Sequence, residues 1–291
     1  MIERRERDPI DIKEPAVVML GTGTPNAEPD RSGPSTAIIV DDTPYVIDCG
    51  PGIVRKAQEA SVKGFQQLRA ENLNHLFLTH LHSDHTVGLP DLILTPWVLG
   101  RREKLKIFGP PGTRKMVKHI HKAWEEDIKV RRDGLESADR TGYRTVVKEV
   151  VGGPVYDDNN VVVSSFETMH GSWDHSLSYR FEIGGKVVCI SGDCSPTERL
   201  TDNYRGCDVL IHEVYSSKGF KEKPKGWQRY HSRSHTSSKE LGRMASIVKP
   251  KLLILTHQLM WGSKEEDIIN DIRDRYDGEI AYAGDLDFFP L

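Results

Sequence analysis

The sequence predicts an α/β fold in four layers, two packed sheets with helices on their outer faces (αββα). Three observations predict it. Short apolar runs rich in β-branched residues recur between Gly, Pro and Asp turns. Longer stretches with helical spacing follow them. The rhythm of strands first and helices after occurs twice, once in each half. No stretch has the composition of a linker, so residues 15–291 read as a single domain behind a polar tail at residues 1–14.

The elements follow in order. Ala16–Leu20, Thr36–Val40 and Tyr45–Ile47 read as strands, and Gly52–Ser61 as a helix. His75–Thr79 is a strand, Leu92–Val98 is helical, and Leu105–Phe108 is a strand. Pro111 opens a helix over Thr113–Asp127, since proline is tolerated in a first turn. Lys129–Asn160 is irregular and reads as a surface excursion with one strand. In the second half, Val161–Phe166, Leu177–Ile183 and Lys186–Ile190 are strands, the last two joined by a Gly184-Gly185 hairpin turn. Asp208–Ile211 and Leu252–Leu255 are short buried strands; Ser237–Val248 and Lys264–Tyr276 are helices.

Composition narrows the function classes. Lys plus Arg is 40 against 43 Asp plus Glu, a net charge of −3, so no global field draws in nucleic acid or an anionic membrane. No apolar run reaches the length of a membrane span, and the charged start lacks a secretory core. A cytoplasmic location is expected, and the tail is read as an arm able to dock on a second copy in a homodimer. Cys49, Cys189, Cys194 and Cys207 lack zinc-finger spacing and read as packing residues.

The chemistry concentrates at Thr79-His-Leu-His-Ser-Asp-His85. His80 and His82 are two apart after an apolar strand, so both imidazoles can face one ion. Asp84 and His85 follow in a turn before Gly88-Leu89-Pro90 and can face a neighbouring ion. Nitrogen and carboxylate donors without thiolates suit zinc, manganese or iron in an open site. His170, Asp193 and His257 each fall where an apolar strand ends, on the same edge as His80.

This run resembles the signature of the metallo-β-lactamase superfamily. Leu-Gly-Thr-Gly-Thr-Pro at 20–25, Val-Ile-Asp-Cys-Gly at 46–50, His170, Ser-Gly-Asp at 191–193 and Leu-Thr-His at 255–257 extend the likeness over most of the chain. The resemblance implies the αββα metallo-β-lactamase fold and two divalent ions, zinc first and Mn2+ or Fe2+ as alternatives. It implies that His80, His82 and His170 hold one ion, that Asp84, His85 and His257 hold the other, and that Asp193 bridges them. Asp48 resembles the family's aspartate that steadies the ligand loop.

Two ions about 3.5–4 Å apart can share an activated hydroxide, which suits hydrolysis of an ester, lactone or lactam. Glu213, in His-Glu-Val-Tyr, and His235, in Ser-His-Thr-Ser, resemble the Glu–His pair of ribonuclease Z-like phosphodiesterases. The resemblance implies that His235 faces the scissile phosphate and Glu213 orients it; with Asp84 they form the catalytic set. The basic, aromatic stretch Lys218–Arg233 between them suits a loop that grips phosphate or nucleotide.

One departure bears on substrate. Ribonuclease Z-like enzymes carry a long Gly- and Pro-rich arm after the His170 position, and only Gly171 to Arg180 stands there in this chain. The run after Asp48, Cys-Gly-Pro-Gly-Ile-Val, differs as well. A small-molecule or nucleotide-like ester is therefore favoured over RNA as substrate. A lactonase, arylsulfatase or β-lactamase on the same ions is the alternative, and a narrow pocket of Trp97, Trp173 and Trp227 would favour it. A non-catalytic scaffold is disfavoured because all seven ligand positions are filled. His175 and His231 stay open as residues lining the site; His119 and His121 read as surface residues.

Overall fold

Alternation sorts the side chains of each strand between two cores. The computed structural model describes residues 14–136 and 138–291. The proposed docking arm, apart from Glu14, lies outside the described residues. In β1 (Ala16–Gly21), Val17 and Met19 face one core while Val18 and Leu20 face another. The same split recurs in β2 (Ser35–Val40), where Ile38 opposes Ala37 and Ile39.

The first sheet also holds β3 (Thr43–Ile47), β4 (His75–Phe77), β5 (Leu105–Gly109), β6 (Thr145–Glu149) and β14 (Phe288–Pro290), in the order β14-β1-β2-β3-β4-β5-β6. The second runs β13-β12-β11-β10-β9-β8-β7, with β7 (Gly153–Asp157), β8 (Val162–Thr168), β9 (Ser176–Ile183), β10 (Lys186–Ile190), β11 (Val209–Tyr215), β12 (Leu252–Leu259) and β13 (Glu279–Tyr282). Their inner faces meet in one core. Phe77 stacks on Phe108 at 4.8 Å and meets Phe181 edge-on at 5.2 Å across the layers. Burying such a ring contributes about 1.5–3 kcal/mol.

The outer faces are covered by helices. On the first sheet lie α1 (Ile53–Val62), α3 (Leu89–Val98), α4 (Thr113–Ala123) and α5 (Glu125–Asp133), which bury Ile53, Ala57, Leu92, Ile93 and Val117 with Val18 and Leu20. On the second lie α6 (Glu198–Asn203), α9 (Ser238–Val248) and α10 (Glu265–Arg273), whose Leu241, Met244, Ile268 and Ile272 pack on Leu210, Leu253 and Leu255. The four cysteines are buried and unpaired within these outer cores. Ser237 caps α9 through a capping box with Glu240. This is the predicted αββα sandwich.

The Gly184-Gly185 turn forms with φ of 53° and 86°, the positive pair a tight hairpin requires. Three expectations are corrected. The Thr113–Asp127 helix breaks at Trp124 into α4 and α5, with three acidic residues opening the second. Lys129–Asn160 holds two strands, β6 and β7, each the edge of a different sheet. β6 buries no residue fully and β7 only Val155, so their apolar pattern is thin. Lys218–Arg233 is helical, divided between α7 (Ser217–Lys221) and α8 (Lys225–Ser234).

Candidate metal centre

The predicted ligands converge from loops and strands of both sheets. His80 and His82 follow β4, and Asp84 and His85 sit on α2 (Ser83–Thr86). His170 follows β8 and Asp193 follows β10. His257 lies inside β12 rather than at its end. There β11 pairs Glu213 with Thr256 and Val214 with Gln258, so His257 is the unmatched residue, with φ 46°. A histidine at positive φ is uncommon and strained, and such residues cluster at functional sites.

His80 Nε2 lies 3.0 Å from His82 Nδ1, which lies 3.0 Å from His170 Nε2. Asp193 Oδ2 stands 3.9 Å from the His80 and His170 nitrogens. A tetrahedral ion with bonds of about 2.0–2.1 Å sets its ligand atoms about 3.3 Å apart, within the range of these separations. The second group is equally tight. Asp84 Oδ2 is 3.5 Å from His85 Nε2 and 3.3 Å from His257 Nε2. Asp193 reaches this group too, with Oδ1 3.5 Å from His85 Nε2 and Oδ2 3.5 Å from His257 Nε2. Asp193 thus stands between the groups.

Neighbouring hydrogen bonds aim the lone pairs. His85 Nδ1–H donates to Asp48 Oδ2 at 2.8 Å, and His170 Nδ1–H donates to the Ser234 carbonyl at 2.7 Å. Those acceptors cannot donate, so Nε2 of each ring is left to face the centre. Asp48 also accepts from the Thr79 amide and hydroxyl, both at 2.8 Å. Its φ of 58° places the carboxylate to hold the ligand loop and His85 together.

The electrostatics suit a cation. Burial pushes His80 well down and His82 down to about 4, so both rings stay neutral, as ligands must. Burial alone would raise Asp193, but His257 and His85 outweigh it and hold the carboxyl well below the usual range. Both rings are themselves pushed up against burial by the neighbouring carboxylates, their protons standing where a cation would. His85 Nε2 and Asp193 Oδ1 are buried without a hydrogen-bond partner. Converging lone pairs, a buried carboxylate and orphaned donor atoms fit a divalent ion. Both groups lie within mutual ligand distance, as does a third comprising Asp193, His235 and His257.

Glu213 lies inside β11, which extends past the predicted strand. Its Oε1 accepts from the Thr236 amide at 2.8 Å, and its Oε2 is 3.5 Å from His235 Nδ1. Burial, reinforced by Asp193, pushes Glu213 well above the usual carboxylate range. His235 ends α8, its Nδ1 also 3.9 Å from Asp193 Oδ2, and burial pushes it down to about 4.

His235 and His257 form the floor of a cleft of about 870 Å³. Its walls bring together Lys223, Trp227, Tyr230, His231 and Trp261. The pocket of three tryptophans does not form: Trp97 is 2 % exposed in the first sheet's outer core, its indole N–H on the Asp139 carbonyl. Trp173 is not among the residues that line the cleft and stands 5.1 Å from the His82 ring. Of the open histidines, His231 lines the cleft and His175 pairs with Glu167 outside it. His119 is exposed, while His121 is half-buried and within 3.3 Å of the Thr145 hydroxyl. Trp261 escaped the sequence reading; its position four residues after His257 was the available signal.

Fold and ligand cluster together define a metal-dependent hydrolase: the chain belongs to the β-lactamase superfamily, whose "Beta-lactamase superfamily domain" profile matches residues 43–258. It is 30% identical over 276 residues to ribonuclease Z of Mycobacterium bovis (strain BCG / Pasteur 1173P2), covering 93% of this chain and 96% of that one. The metallo-β-lactamase fold protein YhfI of Bacillus subtilis superposes with a TM-score of 0.73 at 18% identity, over 95% of this chain and 99% of that one. The short form of human tRNase Z superposes with a TM-score of 0.70 at 22% identity, over 94% and 98%. No helix among the described residues is long and apolar enough to cross a membrane.

Proposed function

We propose that this chain is a dinuclear, zinc-dependent phosphodiesterase acting on small nucleotide-like esters. The observation that carries the reading is the Glu213–His235 pair, 3.5 Å apart, with His235 lining the cleft beside the proposed ligand His257. His80, His82 and His170 would hold one ion and Asp84, His85 and His257 the other, with Asp193 common to both. Ions held there would supply an activated hydroxide at neutral pH and stabilise charge on the phosphate oxygens. Because the ligands come from both sheets, residues 15–291 act as one domain.

The chain's own groups do the rest. Glu213 is fixed by the Thr236 amide, and its other oxygen stands 3.5 Å from His235 Nδ1. The other edge of the ring then serves the cleft, where it can donate a hydrogen bond to a phosphate oxygen; a bound anionic phosphate would raise the ring's pKa and let it protonate the leaving alkoxide. Such a group contributes typically about 10²–10⁴-fold. Asp48 and the Ser234 carbonyl keep the ligand rings from turning.

The name of the mycobacterial relatives supports a second reading, cleavage of RNA, and the short human tRNase Z shares the fold. Two features favour the smaller substrate. Lys218 is already paired with Asp267 at 2.9 Å, and Lys223 is the one lysine or arginine among the described, mainly aromatic and apolar residues that line the cleft. The test is a panel on zinc-loaded protein: a nitrophenyl phosphodiester, an acyl lactone, an aryl sulfate, a cephalosporin and a precursor tRNA. The phosphodiester should turn over fastest. Preference for the lactone, sulfate or cephalosporin would move the protein to another ester class.

A further inference from the structure

Large rings gather at the mouth of the cleft where core packing does not explain them. Trp227 is 56 % exposed and Tyr230 40 %, neighbours on α8 with centroids 5.8 Å apart. Trp227 stacks on His231 at 5.6 Å and 24°, and His231 lies 4.4 Å from Trp261. Trp261 is held at φ 47° after β12 and backed by Tyr215 at 5.5 Å, which itself stacks on Phe220. Exposed apolar surface of this kind, concentrated at a cleft, marks a binding surface. Lys223 Nζ sits 5.0 Å from the Trp261 ring and makes no ion pair among the described residues. Lys223, Trp227, Tyr230, His231 and Trp261 line the same cavity as His235 and His257.

We propose that this wall is a nucleobase subsite: the base of the ester stacks on Trp227 and Trp261, and the Lys223 ammonium meets the phosphate as it enters toward His235. The inference rests on the phosphodiesterase reading and names the group that its substrate carries. Indole faces accept any base by stacking, since every base presents a π face. A free ammonium beside them adds attraction for phosphate. The rings are pre-positioned, Trp261 by its aromatic backing and Trp227 by the helix, so stacking orders few side chains.

Calorimetric titration of the zinc-loaded full chain tests this with adenosine 5′-monophosphate, ribose 5-phosphate and phenyl phosphate. All three carry a phosphate monoester, so that contribution is shared. The nucleotide should bind about 10-fold or more tighter than ribose 5-phosphate. Trp261→Ala and Trp227→Ala should each shrink that ratio severalfold, while Trp261→Phe keeps most of it and guards against a folding artefact. Equal affinity for nucleotide and ribose phosphate, or a ratio untouched by both alanine variants, overturns the subsite. Phenyl phosphate binding as tightly as the nucleotide overturns the base assignment in favour of a plain aryl ester. Binding requires no turnover, so the two readings fail separately. An inert enzyme with the nucleotide preference sinks phosphodiester hydrolysis alone, and an active phosphodiesterase without it sinks the subsite alone.

Discussion

Asp48 and His85, 37 residues apart, are joined by a 2.8 Å hydrogen bond from the imidazole Nδ1–H to the carboxylate. The same carboxylate holds the Thr79 amide and hydroxyl, so one side chain fixes both ends of the ligand run. Asp48→Asn removes one acceptor oxygen and forces His85 or Thr79 to give up a bond. Zinc affinity, measured by competition with a chromophoric chelator, should fall about 10–100-fold while the circular dichroism spectrum is kept. Unchanged affinity would show that Asp48 only shapes the turn before Pro51.

Asp193 is the only carboxylate within 4 Å of nitrogens in both ligand groups among the described residues. Elemental analysis of protein purified without chelator should approach two divalent ions per chain. Asp193→Ala should lower the occupancy of both sites together. Full occupancy of both in that variant would remove Asp193 from the bridge.

His235 belongs to two arrangements, the pair with Glu213 and the group with Asp193 and His257. If the first is its working role, His235→Ala keeps its zinc and loses phosphodiester turnover by about 10²-fold or more. Glu213→Gln should lower turnover less, because the ring is kept while its orientation loosens. Zinc lost from His235→Ala would make the residue a ligand, and unchanged turnover would take it out of the chemistry.

Substrate size gives a fourth expectation. A folded RNA draws much of its affinity from phosphate contacts outside the scissile site. This chain has a net charge of −3, and Lys218 of its basic stretch is already paired. On one preparation at near-physiological salt, a small activated phosphodiester should turn over readily. Precursor tRNA should bind weakly, more weakly still as salt rises, with little 3′ cleavage. Efficient, position-specific cleavage of the tRNA would reverse the ranking. A combined neutralisation of Lys221, Lys223 and Lys225 would then ask whether α7 and α8 provide the grip.

The sequence was most legible where chemistry repeats at short range. Three histidines and an aspartate between His80 and His85 announce their convergence, and the strands that deliver them are apolar and bounded by turns. The cleft was less legible because its walls come from distant segments. Trp261, Trp227 and Lys223 meet only where the segment after β12 comes beside α8 and the turn before it. Trp97 misled for the complementary reason: an indole reads alike whether a core or a substrate covers it. β6 and β7 hid within an irregular stretch because they bury almost no side chains, Val155 alone among the ten.

The proposed ligands come from both sides of one crossing in the chain. Each ion would take two side chains from before the crossing between β6 and β7, His80 with His82 or Asp84 with His85. Each would take two from beyond it, His170 or His257 with the common Asp193. Neither stretch alone carries a full coordination set. Metal occupancy would then act as a register lock between the sheets: any slip of one layer over the other would loosen both ions at once. The resistance of the sandwich to shear, and with it the midpoint of thermal melting, should rise with the concentration of free zinc.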